Sequence, residues 1–407
     1  MLKRNVVIFL IVCISLFLIF LVLLLSGNCC FKDRCEIPIR QFGRTPIFFN
    51  FDDETFVYPQ DESIVIERDK SISIGCPGST LNTGDVWAQM TCITETTFVV
   101  FNDNVDISTL YCEDEVKSTA RYTGKSCEDS GREIEVGFGL GSDKFLRQMR
   151  ICFDEKEQKT LYSEHNLTSL IGNRELSSRR PYFEEGTFFN LSGNKLYELY
   201  SKKTQRRNIN IQLRITDLNS TEVIKNGNSS FYLSRGHLAP KADFLYGSQQ
   251  NASFYYVNAA PQWEIINGGS WNMLEWKIRL YVANRGQDLQ IITGTFDKLI
   301  LEKYSPNPLY LYYNPPISSG VPIPKFFWKI VYDPVIQKGV AFVGTNNPFL
   351  KKDGIYFICP DIMTSINWIK LNNKNVTTGF IYACNVDDLR KKVTYIPKLQ
   401  IIGPLVE

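Results

Sequence analysis

The cysteines constrain the fold of this chain more than any other residue type. Eleven occur in 407 residues, and one of them, Cys13, lies inside an apolar N-terminal run. The remaining number is even, which in an exported protein predicts a set of disulfides. No two cysteines have the Cys-x-x-Cys spacing that cysteine-rich zinc sites use, so such a site is not expected. The ten cysteines are Cys29, Cys30, Cys35, Cys76, Cys92, Cys112, Cys127, Cys152, Cys359 and Cys384.

The N-terminus also predicts export. Lys3 and Arg4 precede an uncharged apolar run, 6–25, which is long enough to cross a bilayer as a helix and longer than the usual core of a signal peptide. Residues 1–27 are therefore predicted to be a cleaved signal peptide or an uncleaved anchor. The positive charge before the run sends the remainder to the lumen or the cell exterior, as a secreted protein or a type II membrane protein. Six glycosylation sequons agree with export; they begin at Asn166, Asn190, Asn219, Asn228, Asn251 and Asn375.

Two domains are expected after the N-terminal segment. Eight of the ten cysteines lie before residue 153, among short runs rich in Val, Ile, Phe and Thr that are bounded by turn residues. This pattern is typical of β structure, so we expect a disulfide-bonded β-rich domain at 36–160. The second domain, 161–407, mixes predicted strands such as "FYYVNAA" and "DLQIITGTF" with helices. Cys359 and Cys384 are expected to pair within it.

One helix of the second domain is predicted by its hydrophobic spacing. In "GGSWNMLEWKIRLYVANRG", Leu274, Ile278 and Val282 recur every four residues, and Gly286 provides a stop. Asn267, Trp271, Glu275 and Arg279 also repeat every four residues, and this spacing forms a slowly turning stripe on one side of a helix.

The polar groups of this stripe suit one kind of chemistry. An amide oxygen and a carboxylate are ligands that Mg²⁺ prefers, and an arginine can clamp a phosphate through two hydrogen bonds. His237 is one of only two histidines, and a neutral histidine can take a proton from an attacking water. The net charge of +2 supplies no strong overall field, so any site for an anionic partner must come from such local clusters. Together these groups describe metal-assisted phosphodiester hydrolysis.

The segments "SRGHLAPKADF" and "YYVNAAPQWEIINGGSWNMLEWKIR" resemble the DNA/RNA non-specific endonucleases, the Serratia-type nucleases with a ββα-metal site. Their pattern is an Arg-Gly-His motif, an asparagine before Pro-Gln, a metal-binding asparagine nine residues on and a glutamate eight further. Asn258, Asn267 and Glu275 keep those spacings. "FFWKIVYD", "VGTNNPF" and "TYIP" resemble the arthropod branch, which includes secreted double-stranded ribonucleases and duplex-preferring nucleases. The resemblance covers most of residues 140–400 and implies an α+β fold with a mixed sheet and flanking helices, preceded by the β-rich domain.

The resemblance also implies roles for individual residues and a nucleic-acid substrate, RNA or DNA, bound through its backbone. His237 would be the general base. Asn267 would be the single direct protein ligand of Mg²⁺, or of Mn²⁺ in its place, and Glu275 would hold metal-bound waters. Arg235 and Arg279 would bind the substrate phosphate. Asn258 and Gln262 would position the backbone or the histidine, with Gln262 also a candidate for substrate binding.

Some features leave alternatives open. Ser234 stands where many members of the family have an aspartate, which keeps open a catalytically silent nucleic-acid-binding or uptake protein; a membrane-tethered adhesion module is a third alternative. His165, beside a sequon, is expected at the surface. Trp263 and Trp271 are expected in the core or the wall of the site. A basic cluster is either a solvated face or a nucleic-acid track; it comprises Lys202, Lys203, Arg206 and Arg207.

Overall fold

The computed structural model describes residues 34–39, 45–141, 144–176, 180–314, 318–351, 354, 356–371 and 375–407. The apolar run 6–25, the predicted segment 1–27, and Cys29 and Cys30 lie outside these residues. Within the described ranges no helix is both long and apolar enough to span a membrane.

The chain divides into two compact units after Val116. The boundary predicted from sequence, between 160 and 161, is therefore displaced. The physical reason is strand pairing: the strands between Thr119 and Leu167 hydrogen-bond into the central sheet of the second unit. The β character predicted for 36–160 is confirmed, but these strands belong to two different sheets.

The first unit is built from β-strands, whose alternating side chains place one apolar face inward. Six strands form one antiparallel sheet in the order β3-β2-β5-β6-β7-β8, and β1 pairs with β4. Disulfides join Cys35 to Cys92 and Cys76 to Cys112. The strands are β1 Arg34–Pro38, β2 Ile47–Asn50, β3 Thr55–Phe56, β4 Ser63–Glu67, β5 Ser71–Gly75, β6 Trp87–Thr94, β7 Thr97–Val100 and β8 Asp103–Asp106.

The second unit has an eight-stranded sheet at its centre. The order is β20-β19-β18-β15-β12-β11-β10-β9, and every pairing in it is antiparallel, where a mixed sheet was expected. Two further hairpins pair β13 with β14 and β16 with β17. The strands are β9 Thr119–Ser126, β10 Arg132–Gly139, β11 Phe145–Asp154, β12 Lys159–Leu167, β13 Leu233–His237, β14 Ala259–Trp263, β15 Leu289–Lys298, β16 Tyr310–Asn314, β17 Ser318–Pro322, β18 Pro324–Asp333, β19 Lys338–Thr345 and β20 Ile381–Cys384.

Helices complete the α+β architecture, which confirms the predicted fold class. They are α1 Leu196–Leu199, α2 Lys202–Gln212, α3 Gly247–Ala252, α4 Glu264–Ile266, α5 Asn272–Arg285 and α6 Val386–Arg390. Single 3-10 turns lie at Ser169–Asn173, Lys241–Asp243, Tyr256–Asn258, Met363–Ser365 and Val376–Thr378, and a π-helical turn at Asn267–Trp271 joins α4 to α5.

Apolar cores lie on both faces of the eight-stranded sheet, although the edge strand β9 is largely exposed. On one face, Phe327, Val331 and Phe342 pack with α5 in a shared apolar core. On the other, Tyr162 and Trp328 belong to a separate core that includes both the Cys359–Cys384 pair and Cys152. The predicted pairing of Cys359 with Cys384 is confirmed, and Cys127 is bonded to Cys152 in the same unit.

Helix α5 forms as its sequence predicts. Leu274, Ile278 and Val282 are buried, and they lie on one stripe because the helix repeats every 3.6 residues. The helix ends at Gly286, which adopts φ +67°, a left-handed conformation that glycine enters without steric cost. This helix is the rigid element that carries Glu275 and Arg279.

Candidate active site

A β-hairpin followed by a helix builds the candidate site. Strands β13 and β14 pair so that His237 lies opposite Ala259 and Arg235 opposite Pro261. The chain then continues through α4 and the π-helical turn into α5. This β-β-α order brings residues separated by more than thirty positions in sequence to one concave surface.

The concave surface is a cavity of about 500 Å³. Five of the residues predicted from sequence lie on its wall, and so does Ser234. The wall also carries four cationic side chains and two acidic ones, a balance that favours an anionic ligand. The predicted residues on the wall are Arg235, His237, Asn267, Glu275 and Arg279, and the charged side chains are Arg180, Arg235, Lys241, Arg279, Glu264 and Glu275.

His237 is held between two aromatic rings. Its ring centroid lies 5.0 Å from that of Phe183 and 4.9 Å from that of Phe254. Its Nε2 atom is buried and has no hydrogen-bond partner among the described residues. Burial, with the charges of Arg180 and Lys241, lowers the pKa of His237 to about 3. The imidazole is therefore neutral at physiological pH, with a lone pair available to accept a proton.

Asn258 and Gln262 lie beneath the cavity rather than on its wall. Both are fully buried. The Asn258 amide donates to the carbonyls of Ala239 and Ser253, at 2.8 and 2.9 Å, and its Oδ1 accepts from the Ala239 N–H at 3.0 Å. These bonds fix the backbone directly after His237. The predicted strand "FYYVNAA" starts late, because Tyr256–Asn258 is a 3-10 turn and β14 begins at Ala259.

Gln262 packs against Gly236, the residue before the histidine. A Cβ atom at position 236 would lie 2.4 Å from Gln262 Oε1 and 2.6 Å from Gln262 Cβ, distances too short for any side chain larger than hydrogen. The Gln262 amide has no hydrogen-bond partner among the described residues, and its backbone carbonyl accepts from the Ser234 hydroxyl at 3.0 Å. The packing explains the glycine of the Arg-Gly-His motif at this position.

Asn267 begins the π-helical turn, a distortion found often at functional sites. Its Nδ2 donates to Glu264 Oε2 at 3.1 Å, and Oδ1 accepts no hydrogen bond from the described residues. Gly269 allows the turn to form, since a Cβ there would lie 2.8 Å from the carbonyl oxygen of Thr378. The hydrogen bond to Glu264 fixes the amide plane and leaves a hard oxygen ligand available.

Glu275 and Arg279 occupy successive turns of α5. Burial raises the pKa of the Glu275 carboxyl to about 7, and Asp243 adds to that rise while Lys329 and Arg279 oppose it. Arg279 Nη1 donates to Asp243 Oδ1 at 2.8 Å. The Glu275 carboxyl therefore gains from any cation that enters the cavity, because a cation favours its charged form.

Arg235 is enclosed by aromatic rings. Its guanidinium carbon lies 5.5, 5.0 and 5.6 Å from the ring centroids of Phe183, Tyr200 and Tyr256. Its Nε donates to the Tyr256 hydroxyl at 3.0 Å. Cation–π contact and this hydrogen bond restrict the side chain. Its remaining N–H groups have no hydrogen-bond partner among the described residues and can therefore serve an anion.

Comparison with known proteins agrees with the geometry. The sequence model for the DNA/RNA non-specific endonuclease family matches residues 129–389, which is more than half of the chain. The chain belongs to this family. Its enzyme class is therefore that of a nuclease, a hydrolase of nucleic acids.

Individual proteins are also similar to this endonuclease. A salivary endonuclease of Lutzomyia longipalpis is 28% identical over 343 residues, which cover 83% of this chain and 76% of the relative. The salivary protein Tsal2A of Glossina morsitans morsitans is 23% identical over 291 residues, covering 70% and 71%. A crystal structure of an EndoG/EndoGI complex matches 63% of this chain and 87% of the solved chain, with 13% identity and a TM-score of 0.38.

Sequence reasoning missed a group of buried charges beneath the cavity of this endonuclease. His165, expected at the surface, is buried and bonded to Asp243. The expectation was wrong because successive strand residues face opposite sides: Asn166 is exposed and His165 faces inward. Lys329 is also buried and donates to Thr293 Oγ1 at 2.6 Å. A signal was present in "FFWKIVYD", since a lysine inside an apolar strand requires buried partners.

The remaining expectations have mixed outcomes. Trp263 and Trp271 are buried, as predicted. In the basic cluster on α2, Lys202 donates to the carbonyls of Gly227 and Ser229, and Arg206 to that of Ile224. Half of the cluster is therefore used to fasten the loop at 224–229, while Lys203 and Arg207 are exposed.

Proposed function

We propose that the protein is an exported endonuclease that cleaves RNA and DNA, duplexes included, by metal-assisted attack of water on the phosphodiester bond. The observation that carries the proposal is the convergence, on one cavity, of a neutral histidine, an oriented amide oxygen, a carboxyl group of raised pKa and two arginines. Each group was selected from sequence, and all five lie on the same wall.

The residues present fit a divalent cation. The fixed amide of Asn267 offers an oxygen ligand, and a cation near Glu275 would favour the charged form of its carboxyl, whose pKa is raised chiefly by burial. Both are hard oxygen donors, which suit Mg²⁺ or Mn²⁺ better than zinc. Asn267 would hold the ion directly, and Glu275 would hold its waters. Once bound, such an ion polarises the phosphate and stabilises the leaving oxygen.

The chain's own side chains perform the remaining steps. His237 takes a proton from the attacking water at its unpaired nitrogen. Burial is the main cause of the lowered pKa of His237, and a bound phosphate beside Arg180 and Lys241 would offset the smaller contribution of their charges. Arg235 and Arg279 orient the phosphate and meet the charge that develops on it. Asn258 and Gln262 position the histidine from beneath.

Export is supported by the surface of the described residues. All six sequon asparagines, at 166, 190, 219, 228, 251 and 375, are exposed. The four disulfides require an oxidising compartment. Two relatives are named salivary endonucleases, which agrees with secretion to the cell exterior.

The test is digestion of matched RNA and DNA duplexes by the purified protein. We expect cleavage of both with Mg²⁺ and none after chelation by EDTA. Asn267→Ala should lower activity and raise the Mg²⁺ concentration needed for half-maximal rate. Absence of cleavage on every duplex would favour the silent nucleic-acid-binding alternative, and an unchanged Mg²⁺ titration in Asn267→Ala would remove Asn267 from its ligand role.

A further inference from the structure

Asp243 bridges two side chains that the proposed mechanism treats separately. Its Oδ1 accepts from Arg279 Nη1 at 2.8 Å, and its Oδ2 lies 3.0 Å from His165 Nε2. The side chains of His165, Asp243 and Arg279 are 0%, 4% and 11% exposed. We call these three residues the Asp243 bridge.

The bridge is anchored on the rigid part of the unit. His165 lies on β12, a strand in the interior of the eight-stranded sheet, and its ring also contacts Phe244 at 5.2 Å. Burial lowers the pKa of His165, so the ring is neutral. Its Nδ1 has no partner among the described residues, so we assign the proton to Nε2, where it donates to Asp243.

The far end of the bridge reaches the cavity. Arg279 lies on the cavity wall, whereas His165 and Asp243 do not. Asp243 follows β13 within the 3-10 turn Lys241–Asp243, so the same short segment that carries His237 also holds the guanidinium. Burial alone would raise the pKa of Asp243. The hydrogen bond from His165 and the charge of Arg279 instead hold this pKa at about 2.

We propose that Asp243, fixed by His165, is a positioning residue that holds the Arg279 guanidinium in place for the substrate phosphate. The proposal rests on the hydrolytic function proposed above. An arginine side chain loses rotamer entropy when it is fixed in one position. Because the bridge fixes Arg279 when the protein folds, that entropy is not lost again when the substrate binds. The hydrogen bond leaves the other N–H donors of the guanidinium for a ligand.

A second arginine of α5, also paired with a buried aspartate, offers a matched control. Arg285 Nη2 donates to Asp333 Oδ2 at 2.7 Å, and the Asp333 side chain is 1% exposed. Neither residue lies on the cavity wall. Asp243→Asn and Asp333→Asn thus each remove a buried charge that pairs with an arginine of α5, and only the first concerns the cavity.

The experiment measures kcat and KM on one duplex for Asp243→Asn, Asp333→Asn, Arg279→Ala and the double variant Asp243→Asn/Arg279→Ala. We expect Asp243→Asn to lower kcat by about tenfold or more, since misplacement of a reacting group by about 1 Å can cost on the order of 10²-fold. Asp333→Asn should keep kcat while lowering the melting temperature. The double variant should be no slower than Arg279→Ala, because Asp243 acts through Arg279.

The proposal would be overturned if the kcat losses of the two single variants multiplied in the double variant. It would also be overturned if Asp333→Asn lowered kcat as much as Asp243→Asn does. His237→Ala, measured in parallel, distinguishes a failure of this proposal from a failure of the proposed function. The proposed function predicts that His237→Ala is inactive, whereas the proposal for Asp243 makes no prediction about that variant. A readout without turnover is ¹⁵N NMR of arginine side chains. The Arg279 guanidinium signal should be slowly exchanging in the wild type and lose that protection in Asp243→Asn, while Arg285 keeps it; an Arg279 signal unchanged by Asp243→Asn would also overturn the proposal.

Discussion

The two histidines of this endonuclease occupy different environments. His237 lies on the cavity wall with an unpaired nitrogen, and His165 lies beneath with its nitrogen bonded to Asp243. Burial is the first cause of the lowered pKa of both rings. A neutral ring in each place is consistent with its proposed role, as a proton acceptor in one and as a hydrogen-bond donor in the other.

The lowered pKa of each histidine predicts how its NMR signal responds to pH. This response is easy to measure because the chain contains few histidines. The chain has two histidines, so its ¹H NMR spectrum should contain two imidazole C2–H signals, and neither should titrate near the ordinary pKa of about 6.5. Because the pKa of His237 is lowered to about 3, its ring stays neutral as the pH falls from about 8 to 5. The kcat/KM profile should accordingly lack an acidic limb from His237 in that range.

His237→Ala assigns one of the two signals. A signal that titrates near pH 6.5 in the wild type and disappears in His237→Ala would contradict the lowered pKa of His237. The same titration of the signal that remains reports on His165.

The sequence predicted the polar residues of the cavity wall better than the ionisable residues beneath it. His237, Asn267 and Glu275 were selected by a motif and its spacing, and all three lie on the cavity wall. His165 and Asp243 were not selected, because their significance depends on a contact across 78 positions that no local pattern records.

At the scale of elements, the site depends on one hairpin and one helix. Helix α5 was predicted well, since its buried stripe and its terminal glycine are both local signals. The hairpin is less evident from sequence, because its strands are short and β14 contains Pro261, a residue typical of edge strands. Close packing of Gly236 on Gln262 sets the distance between the two strands.

This packing predicts the outcome of Gly236→Ala. The new methyl group would overlap Gln262 and displace β13, so we expect a loss of stability of about 1–3 kcal/mol and a fall in kcat of about tenfold or more. Gly139→Ala in β10 is the matched control, because a Cβ there meets nothing within 4 Å. Thermal melting and duplex cleavage check both variants; Gly236→Ala with wild-type kcat would show that the hairpin spacing does not position His237.

At the scale of the whole molecule, the domain boundary was the main feature that sequence could not supply. Local patterns identified the strands between 119 and 167 as β structure, but not which sheet they join. That choice is made by long-range pairing, such as Tyr162 of β12 with Gly294 of β15. The density of cysteines before residue 153 also favoured the wrong boundary, because Cys127 and Cys152 lie in the second unit, 117–407.

All residues assigned to the reaction lie in the unit 117–407, and the central claim concerns His237. The most direct measurement is the single-turnover rate of duplex cleavage by the wild type and by His237→Ala, with folding verified by thermal melting. The account predicts a loss of roughly 10²–10⁴-fold, the contribution of a general base. A folded His237→Ala protein that cleaves at nearly the wild-type rate would contradict it.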